Sequence, residues 1–74
     1  MFSIWVIYER PTDYPNGYVA RRLRASSTGG VVTSPRDVLV GDTLDEVRAQ
    51  LRPFGLYRIP RDPRDEPQIV ESWI

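Results

Sequence analysis

The chain contains no cysteine and no histidine among its 74 residues. Disulfide bonds and Cys/His zinc sites, which hold many domains of this size together, are therefore excluded. Folding must come from burial of apolar side chains, and in so short a chain burial barely offsets the conformational entropy that folding costs. We therefore expect residues 1–74 to form one domain that gains further burial by associating with itself or with a partner protein.

Every basic residue is arginine, and ten arginines balance ten acidic residues. Without histidine, cysteine or lysine, the chain lacks the imidazole, thiolate and amine groups that perform much acid–base and nucleophilic catalysis. The zero net charge gives no overall field that would draw the protein to nucleic acid or to an anionic membrane. The composition therefore predicts a non-enzymatic protein with no cofactor and no metal site.

The longest apolar run, residues 4–7, is far too short to span a bilayer. The N-terminus has no basic stretch followed by an apolar segment, so we expect no signal peptide. These two features predict a cytoplasmic protein that does not enter the membrane.

The first nine residues alternate as in a strand that carries apolar side chains on both faces. Such strands usually lie in the middle of a covered sheet. Asn16 and Gly17 then form a strong turn signal, because both residues tolerate positive φ angles. Residues 18–25 are predicted as a second strand, paired with the first in a hairpin.

A capping box is the clearest local signal of the chain. The Thr43 hydroxyl can accept a hydrogen bond from the backbone of Glu46, whose carboxylate reaches back to the start of the helix. Proline and glycine in residues 53–55 end the predicted helix after about nine residues. The apolar stripe that faces the sheet has helical spacing and consists of Leu44, Val47 and Leu51.

The remaining segments complete the predicted order. Residues 26–36 are expected to form a polar loop, and residues 37–41 and 56–59 to form short strands. A charged, proline-rich connector, residues 60–67, leads to a last strand at residues 68–74. The order β-β-β-α-β-β predicts an α+β fold, a small and mostly antiparallel sheet of four or five strands with one short helix on one face.

One short helix can cover only one face of such a sheet, yet the first and last strands are apolar on both faces. We therefore predict an uncovered aromatic face that binds a second copy of the chain or another protein. The alternative is that loops cover these side chains and complete the core. The predicted partner-binding residues are Trp5, Ile7, Ile69 and Trp73, with Tyr57 and Arg58 at the rim.

Nucleic-acid binding is the alternative function. Arginines alternate with an aromatic residue along the second strand, so a basic stripe could follow a phosphate backbone. Exposed arginines on a strand are also a common protection of a sheet edge. The candidate residues for this alternative are Arg10, Arg21, Arg22 and Arg24.

The connector at residues 60–67 contains clustered carboxylates, from Asp62, Asp65 and Glu66. Paired carboxylates can act in catalysis or bind Mg²⁺ or Ca²⁺, but the neighbouring arginines and prolines favour solvated or ion-paired acids. We interpret the connector as a stiff structural loop, and a role in recognition remains the alternative.

Over nearly its whole length the chain resembles a set of short bacterial proteins of unassigned function, a resemblance that implies no activity. The shared pattern runs Asp13-x-Pro15-x-Gly17-Tyr18-Val19-x-Arg21, then Thr43-Leu44-x-x-Val47-Arg48, then Gly55-Leu56-x-Arg58-Ile59-x-Arg61-x-Pro63-x-Asp65-Glu66-Pro67-x-Ile69-Val70-Glu71-x-Trp73.

A shorter part of the chain is similar to the core of HicB-type antitoxins. The shared residues are Gly17-Tyr18-Val19-Ala20 and, later, Gly41-Asp42-Thr43-Leu44-Asp45-Glu46-Val47. In that family a three-stranded sheet precedes a capped helix, and the resemblance implies binding to a small toxin partner. The segment from Pro53 onward does not follow the family, and we expect no appended DNA-binding domain.

Overall fold

The computed structural model describes residues 3–25 and 29–74, which form a five-stranded sheet with one α-helix packed against one face. The predicted α+β class and the order β-β-β-α-β-β are confirmed. Within the described residues, no helix has the length and apolar character needed to cross a bilayer. The elements are β1 (Ser3–Glu9), β2 (Tyr18–Ala25), β3 (Val31–Gly41), α1 (Leu44–Leu51), a 3₁₀ helix (Arg52–Phe54), β4 (Arg58–Pro60) and β5 (Ile69–Trp73).

The sheet is antiparallel and has the spatial order β3-β2-β1-β5-β4. β1 therefore lies in the middle, as its two apolar faces predict. The predicted hairpin of β1 and β2 is also confirmed, and it closes where the Arg10 backbone nitrogen donates to the Gly17 carbonyl at 2.8 Å. β3 and β4 form the two edges of the sheet.

The helix begins at the predicted capping box. The Glu46 backbone nitrogen donates to Thr43 Oγ1 at 3.2 Å, and the Thr43 backbone nitrogen donates to Glu46 Oε2 at 3.3 Å. Val47 and Leu51 are fully buried against the sheet, as the stripe predicts. The chain leaves the 3₁₀ helix through Gly55, whose φ of 70° is a left-handed conformation that glycine adopts without strain.

The core lies between α1 and the sheet face that the helix covers. It combines residues from the two central strands, the last strand and the helix. Its members are Trp5, Ile7, Ala20, Val47, Leu51 and Trp73, with Tyr18, Leu39, Leu44, Leu56 and Val70 packed against them.

β3 is longer than the sequence predicts. Its first residue is Val31, which lies opposite Ala25, although residues 29–36 are predicted as part of a loop. The β-branched residues at positions 31–33 explain the difference, because such side chains favour extended backbone. The rest of the predicted loop, residues 26–28, and the start of the predicted first strand, residues 1–2, lie outside the described residues.

A β-bulge in β5 changes which face its side chains occupy. Trp73 lies opposite Trp5 and Glu71 opposite Ile7, but Ile69 lies opposite Tyr8, so Val70 is the additional residue. Alternation is therefore interrupted, and Ile69 lies on the face opposite to that of Trp73. The prediction that Ile69 and Trp73 share a face is wrong for this reason.

Candidate interaction surface

Three of the residues predicted to contact a partner are core residues of this chain. Trp5 is 8% exposed, Ile7 0% and Trp73 7%, and all three belong to the cluster that packs with the helix. The predicted placement of these three side chains on an uncovered face is therefore wrong. The physical reason is that α1 lies over the side of β1 that carries the indole, which the alternation pattern alone does not determine.

The other three predicted residues lie nearer the surface. Ile69 is half-buried on the face away from the helix. Tyr57 is 79% exposed and immediately precedes β4, and it exchanges two backbone hydrogen bonds with Ile74. The Arg58 side chain is exposed, and its Nη1 lies 3.6 Å from Glu71 Oε1. Their role at the rim of an interface stays a prediction.

Glu71 is a buried acid that the sequence analysis did not single out. Arg48 donates to it twice, from Nε to Oε2 at 3.0 Å and from Nη2 to Oε1 at 2.7 Å. The indole nitrogen of Trp73 donates to Oε2 at 2.8 Å. Burial raises the pKa of Glu71, but these hydrogen bonds and the charges of Arg48 and Arg58 outweigh it and hold the pKa below its ordinary value.

Strand pairing defines the second face of the sheet, which we call the open face, because no helix of the described residues packs on it. It is mostly aliphatic, with one arginine at its centre. Its residues, from the pairing register, are Ile4, Val6, Tyr8, Val19, Arg21, Leu23, Ala25, Val31, Thr33, Val38, Val40, Ile59, Ile69 and Ser72.

The centre and the borders of the open face differ in exposure. Val6 and Val19 are buried at its centre, 5% and 1% exposed. Val31, Val40 and Ile59 on the edge strands are exposed by 70%, 46% and 39%. A shallow apolar hollow of about 190 Å³ adjoins Val31 and is lined by Ile4, Leu23, Arg24, Ala25 and Val31. The open face thus carries exposed aliphatic surface at both edges of the sheet.

Arg21 is the charged residue in the middle of the open face. Its guanidinium lies 5.4 Å from the centre of the Tyr8 ring and forms an ion pair with Asp13, in the loop between β1 and β2. The hydrogen bond from Arg21 holds the pKa of Asp13 below its ordinary value. The arginine charge is therefore matched within the chain.

The four arginines of the nucleic-acid alternative do not form one stripe. Arg21 lies on the open face, whereas Arg22 lies opposite Trp5 on the helix-covered face and Arg24 points to the same side. Asp37 pairs with both, at 3.0 Å from Arg24 Nη2 and 3.8 Å from Arg22 Nη1. A phosphate backbone along β2 would meet these cations on two sides of the sheet.

The connector at residues 60–67 is held by hydrogen bonds within itself. The Arg64 backbone nitrogen donates to Asp62 Oδ1 at 2.8 Å, and the Asp62 backbone nitrogen donates to Asp65 Oδ2 at 3.1 Å. The Arg64 guanidinium also pairs with Asp62 at 3.2 Å, and these hydrogen bonds lower the pKa of Asp62. Asp62 and Asp65 are thus engaged in hydrogen bonds within the connector, and its role in recognition stays a prediction.

Comparisons with protein-family models, with curated proteins and with solved structures find no match to this chain. The two resemblances drawn from its sequence motifs therefore stay predictions.

Proposed function

We propose that the protein is a small non-enzymatic interaction module that forms a homodimer through its open face. The observation that carries the proposal is the exposed aliphatic surface on that face, at Val31, Val40 and Ile59. These side chains lie at the borders of one sheet face, and a partner that covers this face would remove all three from water. The sequence predicted a role in binding for an uncovered sheet face. We assign that role to the open face, on the other side of the sheet from Trp5 and Trp73.

The total accessible surface supports an association that buries more of the chain. It measures 5201 Å², whereas a monomer of this mass typically exposes about 4,700 Å². The chain thus exposes about 500 Å² more than a typical monomer, which is surface available for burial against a partner. A chain without disulfides gains stability in proportion to such burial.

A second copy of the chain is the occupant that fits the charge of the surface. The central Arg21 is already paired with Asp13, so two open faces can approach without bringing unmatched cations together. The whole chain has a formal charge of zero, which removes long-range repulsion between copies. Two sheets that pack face to face lie about 10 Å apart, at which distance their aliphatic side chains interdigitate.

Charge substitutions on the two faces of one edge strand test the proposal. Val40→Glu and Val31→Glu place a carboxylate on the open face, whereas Val32→Glu, at a residue 52% exposed, places it on the other side of β3. Sedimentation velocity over a range of concentrations should show a dimer for the parent chain and for Val32→Glu. The dissociation constant should rise at least about tenfold for the open-face variants.

Two results would contradict the homodimer. One is a parent chain that sediments as a monomer at every concentration. The other is a dimer that Val40→Glu and Val31→Glu leave intact while Val32→Glu weakens it, which would assign the interface to the opposite side of the sheet.

A further inference from the structure

A cleft lies at one end of the helix-covered face, away from the open face. It has a volume of about 300 Å³ and is lined by Ser3, Trp5, Arg22, Phe54 and Leu56. This volume is at the lower end of the range for small-molecule sites, and such sites combine apolar walls with a few polar groups. The cleft has the same combination, since three of its five lining side chains are apolar.

Two aromatic rings form the apolar wall. The Trp5 ring, from β1, lies 5.8 Å from the ring of Phe54, in the 3₁₀ helix, and the two planes are inclined by 34°. Phe54 is the last residue of the 3₁₀ helix, and its large apolar side chain is 51% exposed. An apolar group in the cleft would contact both rings and reduce the exposure of Phe54.

Arg22 supplies the polar group of the cleft, and its hydrogen bonding is incomplete. Its Nε is buried and makes no hydrogen bond within the described residues, and the same is true of Arg24 Nε. Buried donors without partners are costly and rare in folded proteins. In the part of the chain that the structure describes, Asp37 is the one acid paired with both guanidinium groups, and its distance of 3.8 Å from Arg22 exceeds hydrogen-bond length. Among these described side chains, two guanidinium charges thus share one carboxylate.

We infer that this cleft binds a small carboxylate that carries an aromatic or other apolar group. The carboxylate would accept hydrogen bonds from Arg22, whose planar guanidinium suits a planar, two-oxygen acceptor. The apolar group would lie against Trp5 and Phe54. Two guanidinium charges that share one carboxylate fit a monoanion, whereas a phosphate monoester carries up to about two negative charges at pH 7. The inference does not depend on the homodimer, because the cleft and the open face lie on opposite sides of the sheet.

The test compares 3-phenylpropionate with its neutral isostere 3-phenylpropanamide. Both are titrated into the ¹⁵N-labelled chain, and the Trp5 indole and Arg22 Nε resonances are followed by NMR. The carboxylate should shift both resonances with saturation at a dissociation constant of about 1 mM or tighter. The amide should bind at least about fivefold more weakly, because it cannot form the charge-assisted hydrogen bonds.

Adjacent residues on one strand provide matched variants. Arg22→Gln should abolish the preference for the carboxylate, whereas Arg21→Gln, on the other face of β2, should retain it. Phe54→Ala should weaken carboxylate and amide alike. The inference is overturned if neither compound gives saturable shifts, if both bind equally, if the shifts map outside the cleft, or if Arg22→Gln keeps the preference.

Discussion

Arg48 of α1 and Glu71 of β5 form a two-point hydrogen-bonded ion pair that connects the helix to the sheet next to the core. The carboxylate is 2% exposed, whereas the Arg48 side chain is 26% exposed and reaches it from the surface side of the helix. Trp73 completes the arrangement by donating its indole hydrogen to the same carboxylate. This pair joins α1 to β5, although the helix packs mainly against β2 and β3.

Removal of the Glu71 charge should destabilise the fold. In Glu71→Gln the Arg48 guanidinium keeps, among the described side chains, only its ion pair with the exposed Asp45, 3.7 Å away, and the buried amide has one acceptor oxygen for three donors. We expect a loss of about 2 kcal/mol in the free energy of unfolding, below the cost for a fully buried pair because Arg48 is partly exposed. Urea denaturation measures it, and Glu66→Gln, the same substitution at an exposed residue of the connector, is the control. A loss equal to that of the control would show that the pair contributes nothing specific.

The same carboxylate should make stability depend on pH in the acid range. The folded state lowers the pKa of Glu71, so its contribution is fully present above the unfolded pKa and is lost as pH falls through the folded pKa. We expect the free energy of unfolding to fall below about pH 4.5. Asp13 and Asp62 have lowered pKa values and contribute with the same sign. Glu71→Gln should flatten the dependence, and parallel curves for the two chains would contradict this assignment.

The capping box should contribute measurably to stability. Thr43→Ala removes the acceptor for the Glu46 backbone nitrogen and leaves that donor without its partner. The expected cost is about 1 kcal/mol, together with a loss of helical signal in circular dichroism. Thr12→Ala, at an exposed loop residue, is the control and should cost a few tenths of a kcal/mol at most. Equal costs for the two variants would refute a capping role.

Gly41 should be intolerant of a side chain, because the helix approaches the end of β3 there. A Cβ at this residue would lie 2.9 Å from Glu46 Cβ and 3.1 Å from Val47 Cγ2. Gly41→Ala should therefore cost about 1–3 kcal/mol, measured by urea denaturation. Gly30→Ala, where a Cβ would meet nothing within 4 Å, should be neutral or slightly stabilising. A neutral Gly41→Ala would mean that the helix can move away from the strand at little cost.

Local signals predicted the elements well. The turn at Gly17 and the capping box at Thr43 depend on residues close in sequence, so their geometry follows from the sequence itself. Alternation likewise predicted which residues of β1 share a face. It could not predict which face α1 covers, because that choice depends on contacts between distant segments, and it therefore assigned Trp5 to the wrong side.

The candidate surface was harder to predict than the fold. Val70 is one additional residue in β5, and because of it Ile69 lies on the open face instead of the face that Trp73 occupies. No sequence signal marks this bulge. The pair of Arg48 and Glu71 joins residues that are 23 positions apart, so their proximity becomes visible only once the helix lies on the sheet. The exposed valines at positions 31 and 32 lie between polar and glycine-containing segments, and for this reason the sequence pattern indicated a loop there.

Intermolecular NOEs provide the most direct test of the homodimer. A mixed sample of ¹³C-labelled and unlabelled chains, studied at a concentration where the dimer predominates, reports contacts between copies alone. The account predicts NOEs between methyl groups of the open face, among them Val31, Val40 and Ile59, and none from Val32. A sample without intermolecular NOEs, or with NOEs confined to Val32 and the helix-covered face, would contradict it.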